Sequence, residues 1–137
     1  MAQVLEKTPS TQVIYLDIDF WFAAHPVTGD VSTLTNETAV KKAVQNLILM
    51  NFGDIPFEPY IGSNVTSFLF EQPTDITIIM INNYIKEVLR NHEPRISVIS
   101  VDTIFDSTEA GFETTIVFGF ANREVTTTFN LTLERKR

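Results

Sequence analysis

Apolar and polar positions change period once along this chain, from helical spacing in the middle to alternation near the end. From Asn36, Val40, Val44, Leu47 and Ile48 recur on one helical face, while Lys41, Lys42 and Gln45 face water. Asn36 is placed to cap the free amides of "ETA", and "MNFGD" ends this first helix with Gly53 as a left-handed cap. The second helix spans "QPTDITIIMINNYIKEVLRNHEP", with Thr74 or Asp75 as its cap. Its run "ITIIMI", taken by itself, fits a strand. Ile78, Ile81, Ile85, Val88 and Leu89 nevertheless continue in helical period, with Asn82, Lys86, Glu87 and Arg90 opposite. Pro94 disfavours helical geometry at Glu93, so the helix stops near Asn91 or His92.

Alternation then takes over. "ISVISVDTIF" is a strand, "DSTEAG" turns it, and "FETTIVFGF" lines Phe112, Thr114, Ile116, Phe118 and Phe120 along one face. After "ANRE", Val125, Thr127, Phe129, Leu131 and Leu133 do the same in a last strand. Upstream, "TQVIYLDIDFWF" alternates only loosely. It reads as a short extended segment that lays Ile14, Leu16, Ile18, Phe20 or Trp21 on the core, before turn chemistry in "HPVTGDV". "IPFEPYIGS" reads as an ordered loop from which Phe57 or Tyr60 plugs the core. The expected class is α+β, two helices packed on a small antiparallel C-terminal sheet. One domain over 1–137 is expected, with 1–35 as its N-terminal extended segment.

Composition narrows the function more than the fold. The 137 residues are 44% hydrophobic and 20% charged, ordinary for a globular chain. A net charge of −7 argues against nucleic acid and against an anionic membrane surface. With no cysteine, thiolate metal sites, disulfides and cysteine nucleophiles are excluded. "MAQVLEKTPS" lacks the apolar run of a signal peptide. The sequons at Asn36, Asn64 and Asn130 are accordingly read as chance, and the terminal "ERKR" as a solvated tail.

Few residues advertise chemistry. Asp17 and Asp19 project to one side of an extended segment, as a glycosidase pair would, yet two acids on an exposed edge are ordinarily a solvated face. His25 and His92 lie far apart and lack convergent ligands. No glycine spacing cradles a phosphate. No catalytic residue, metal, cofactor or small-molecule substrate is expected.

Two stretches stand out for partners. Val125, Thr126, Thr127, Thr128, Phe129, Asn130, Leu131, Thr132 and Leu133 carry no charge, proline or glycine, and Glu134 is the first charge after them. Native sheets protect exposed edges with such residues. If this strand is an edge, its open amides and carbonyls would accept a strand from another chain. A mid-sheet position fits the composition equally well. The second stretch is Glu93, Pro94 and Arg95, where a carboxylate follows a helix end that electrostatically disfavours it. Proline stiffens the corner and sends residues i and i+2 to the same side. Glu93 and Arg95 then form either a local ion pair or a fork presented to a partner.

With these segments in view, the chain resembles the small baseplate-wedge protein of contractile-tailed phages, a family whose relatives include the TssE component of type VI secretion. "LDIDFWF", "AVKKAVQNLIL", "IPFEPYIGS", "FLFEQ" and above all "VLRNHEPRI" carry the resemblance, in order, over nearly the whole chain. It implies a structural virion protein of the tail baseplate, assembled in the host cytoplasm, with larger wedge proteins, the tail sheath subunit and hub or tube-adjacent proteins as partners. It further implies that Glu93, Pro94 and Arg95 grip the core bundle of a larger wedge protein, and that the fold initiates the sheath by strand exchange. The edge assignment to Val125–Glu134 rests on strand composition instead. A type VI secretion component and a peptidoglycan hydrolase are the alternatives, the second without supporting residues.

Overall fold

The computed structural model describes residues 15–19, 21–108, 110–121 and 125–134. The chain divides into two compact units, 1–40 and 41–137, with the boundary inside the first helix.

In the first unit, β1 (Leu16–Ile18) pairs antiparallel with β2 (Thr33–Thr35), with Leu16 opposite Thr35 and Ile18 opposite Thr33. Hydrogen bonds rather than burial order this hairpin. The Asp19 N–H donates to the Ser32 carbonyl at 3.0 Å, and the Gly29 N–H to the His25 carbonyl at 2.8 Å. Leu16, Ile18 and Trp21, expected on the core, are exposed. Three-residue strands in a two-stranded ladder offer too little face to bury alternate residues. The same expectation for Ile14 and Phe20 falls outside the described residues.

The helix α1 runs from Asn36 to Leu49. Asn36 starts it at φ 48°, donating its N–H to the Tyr15 carbonyl at 2.8 Å and accepting the Tyr15 N–H on Oδ1 at 3.3 Å. Val40, Val44 and Ile48 are fully buried, as their spacing predicts.

Gly53 does not cap this helix. It lies in the following loop, with its N–H donated to the Pro59 carbonyl at 3.0 Å. That loop closes where the Ser63 N–H meets the Met50 carbonyl at 2.9 Å. Gly62 is required there, because at φ +140° a Cβ would sit 2.8 Å from the Asn51 carbonyl carbon. The expected aromatic plug is absent: Phe57 is 101% exposed and Tyr60 84%. The core is filled instead by an unpredicted 3-10 helix, Val65–Phe70, which buries Val65, Phe68 and Leu69.

The longer helix α2 covers Asp75–His92, and Thr74 caps it by accepting the Thr77 N–H at 3.3 Å. Ile81, Ile85, Val88 and Leu89 are buried, and α2 lies against β3. Three strands complete an α+β fold: β3 (Ile96–Asp106), β4 (Gly111–Phe120) and β5 (Thr126–Leu133), antiparallel in that spatial order. Phe112, Thr114, Ile116 and Phe118 of β4 bury one face, continued by Leu131 and Leu133 of β5.

One polar link crosses the core. Thr103 donates its hydroxyl to Asn82 Oδ1 at 2.6 Å, and its oxygen lies 3.0 Å from that of Thr114. Asn82, expected to face water, is thereby half-buried.

Candidate functional site

The corner after α2 is built by three constraints. Glu93 leaves helical geometry at φ −126°, ψ 80°, as a residue before proline should, while its N–H still donates to the Leu89 carbonyl at 3.0 Å. Pro94 is exposed and rigid at φ. Arg95 then enters the sheet, its carbonyl accepting the Ala121 N–H at 3.0 Å.

Glu93 and Arg95 meet as one unit. Arg95 Nε donates to Glu93 Oε1 and Arg95 Nη2 to Oε2, each at 2.6 Å, and the Arg95 N–H adds a 3.3 Å bond to Oε1. The fork is bidentate and charge-assisted. Glu93 is only 3% exposed, whereas the Arg95 side chain is 31% exposed. A carboxylate at the negative end of a helix is thus tolerated because a guanidinium answers both its oxygens. What the corner turns outward is Pro94 and part of Arg95, not the carboxylate.

The last strand differs in kind. It pairs with β4 on one side, and no strand pairs with its other side among the described residues. Its parity follows from one bond. The Phe120 N–H donates to the Val125 carbonyl at 3.4 Å, so Val125 turns its backbone polar groups toward β4. Antiparallel ladders alternate, so Thr127, Phe129, Leu131 and Leu133 also bond inward. The N–H and C=O groups of Thr126, Thr128, Asn130 and Thr132 point away from the sheet. The same four side chains are exposed, while Thr127, Leu131 and Leu133 are buried.

The corner and the far end of this edge lie at opposite ends of the sheet. Ile96 pairs with Phe120 at the corner end, whereas Leu133 pairs with Phe112 at the other. At that far end an open groove of about 460 Å³ is lined by Leu49, Thr66, Leu69, Phe70, Thr132, Leu133 and Glu134. Periodicity alone did not reveal it. The signal available was "FLFEQ", whose Phe70 ends the 3-10 helix 72% exposed.

The remaining candidates are occupied locally. Asp17 Oδ1 accepts the Ile18 N–H at 2.8 Å, and Asp19 Oδ1 the Trp21 N–H at 3.2 Å. His25 Nδ1 accepts the Val27 and Thr28 amides at 3.3 and 3.4 Å. His92 lies half-buried in the last turn of α2. No group of three His, Cys, Asp or Glu residues fit to hold a metal occurs among the described residues. No helix among them is long and apolar enough to cross a membrane.

No protein-family model matches the chain. Over 75 residues it is 32% identical to the baseplate wedge protein gp25 of Enterobacteria phage T4, a match covering 55% of this chain and 57% of that protein. The match thus spans little more than half the relative's length. A chain in the cryo-EM structure of the anti-feeding prophage baseplate superimposes with TM-score 0.69 at 28% identity, covering 80% of this chain and 88% of that one. A Geobacter sulfurreducens crystal structure carrying a tail-lysozyme name aligns with TM-score 0.66 and 19% identity over 72% of this chain and 89% of its own, a likeness of fold alone.

Proposed function

We propose, from the premise that this chain is a homologue of the contractile-tail baseplate wedge proteins, that it is a structural part of such a baseplate and not an enzyme. It works through two surfaces. The open edge of β5 accepts an extended strand from a tail-sheath subunit and so templates the first sheath ring. The Glu93-Pro94-Arg95 corner docks on the helical core bundle of a larger wedge protein. Glu93 holds the guanidinium flat and oriented, so that Pro94 and the outer part of Arg95 meet the partner with little ordering cost. Assembly takes place in the host cytoplasm, and the finished particle carries the protein in its tail baseplate.

The observation that carries this function is the edge itself: four alternate outward-bonding positions, in a strand with no charge, proline or glycine to protect it. Sheets ordinarily avoid that arrangement because it recruits further strands. Separation of the two surfaces along the sheet supports simultaneous use, since about eight strand residues span roughly 27 Å.

Thr128→Pro tests the function directly. Proline at an outward-bonding position removes a free N–H without breaking the ladder to β4. The variant should enter wedge complexes and fail to initiate sheath. Sheath polymerising normally on variant baseplates would rule out strand addition at β5. For the corner, Arg95→Lys keeps the charge and loses the bidentate fork. Wedge complexes should form poorly with it at wild-type expression, and unchanged co-purification would reduce the corner to a structural ion pair.

A further inference from the structure

We infer that the strand accepted by β5 carries a basic residue opposite Thr132 next to a large apolar residue opposite Leu133. This rests on the strand-addition function above and specifies the chemistry of its partner.

Neighbouring residues on a strand point to opposite faces, and directly opposed residues on paired strands share a face. A residue opposite Leu133 therefore turns to the core side, where the 460 Å³ groove opens beside the edge. Leu49, Leu69, Phe70 and Leu133 line it, and Phe70 and Leu49 are 72% and 41% exposed. The groove takes a leucine or phenylalanine side chain with room to spare, and filling it covers apolar surface now in water.

The residue opposite Thr132 turns to the other face. There Thr132 stands in one row with Glu113 of β4. Glu113 and Asp106 line a second recess of about 230 Å³ together with Thr132. Glu134 follows directly on β5, where it also borders the first groove, and stands within reach of a long side chain opposite Thr132. Glu113 and Glu134 are exposed and have no ion-pair partner among the described residues. Asp106 is partly engaged, accepting the Thr108 N–H at 2.8 Å. An arginine or lysine opposite Thr132 faces two unanswered carboxylates, and an acid there is repelled by both.

The test uses the full-length protein and two synthetic nine-residue peptides alternating leucine with threonine. Their central polar residue is arginine in one and glutamate in the other. Amide shifts of Thr126–Leu133 are followed by NMR titration. The arginine peptide should bind about tenfold tighter, since each favourable or repulsive cross-strand pair is worth up to about a few-fold in affinity. Glu113→Gln with Glu134→Gln should shrink the difference to about twofold, and Phe70→Ala should weaken both peptides alike by about fivefold.

Equal binding of the two peptides, with Thr128→Pro abolishing both, overturns the side-chain assignment and leaves the strand-addition function standing. Binding that survives Thr128→Pro overturns both. Amides of Thr126, Thr128, Asn130 and Thr132 already protected from exchange in the isolated protein would also overturn both. Protection independent of concentration would identify the chain's own segment as the occupant, and protection rising with concentration a second copy.

Discussion

The corner after α2 and the edge of β5 drew notice as partner surfaces for opposite chemical reasons, and the fold treats them oppositely. At the corner the conspicuous group, the Glu93 carboxylate, is consumed: both oxygens are answered by Arg95 and the side chain is buried. At the edge nothing conspicuous exists, yet four residues hold backbone donors and acceptors that the sheet leaves unanswered. Charged residues draw attention because they are costly to bury, and the fold settles that cost internally. An unpaired strand is silent in composition but retains its whole bonding capacity for a neighbour. The corner thus contributes shape and a held cation, whereas the edge contributes hydrogen bonds.

The sharpest way to break this contrast is one substitution made at adjacent positions. Thr127→Pro removes an N–H that bonds β4 and leaves a buried carbonyl without a partner. It should cost about 3 kcal/mol. Thr128→Pro, one residue on, removes an N–H that faces outward and should cost less than about 1 kcal/mol. Urea midpoints of the two variants, at unchanged slope, provide the measure. Equal destabilisation would mean that the assigned parity of β5 is wrong, and the four outward residues with it.

At the corner, Arg95→Ala should cost about 2–3 kcal/mol, because a buried carboxylate is left without its cation. The partial exposure of Arg95 keeps the figure at the low end, since water can enter beside Glu93. Glu93→Gln should cost less, as it removes the buried charge together with the ion pair. If Glu93→Gln proved the worse of the two, the carboxylate would be making stabilising contacts beyond Arg95. Next in size, Asn82→Ala should lower stability by about 1 kcal/mol. Thr103 then loses one partner and keeps Thr114.

How far the sequence foretold this depends on the kind of interaction. Period was decisive in the long elements that bury a face: both α-helices, all three C-terminal strands and the inward set of β4 follow from it, whereas the short 3-10 helix burying Val65, Phe68 and Leu69 does not. It failed where order comes from backbone bonding. Leu16 and Ile18 alternate as a core-facing strand would, yet three-residue strands bury little, so hydrogen bonds shape the hairpin instead. Asn82 read as a solvent residue because nothing local announces a threonine twenty-one positions away. The Glu-Pro-Arg corner was legible as a stiff pair, since proline dictates the extended geometry. Which way it faced was not legible, because burial of Glu93 depends on how α2 meets β3. Whether β5 was an edge was undecidable from composition, as strand order is a property of the whole sheet.

Phe57 marks the smallest effect and a change of sign. The ordered loop was expected to drive Phe57 or Tyr60 into the core. Phe57 is instead wholly exposed and held at φ 71°, a left-handed conformation that L-residues with bulky side chains disfavour. The Glu58 N–H donates to the Ile55 carbonyl at 3.3 Å, and the Gly53–Pro59 bond closes the turn around it. Fully exposed, the ring gains no burial among the described residues to offset the strain. Asparagine adopts this region readily, so Phe57→Asn should raise stability by about 0.5 kcal/mol. Thermal denaturation of the two proteins side by side would detect it. A loss of more than about 1 kcal/mol would show that the ring does pack in solution, and the loop would then belong with the core rather than with the outward-facing surfaces.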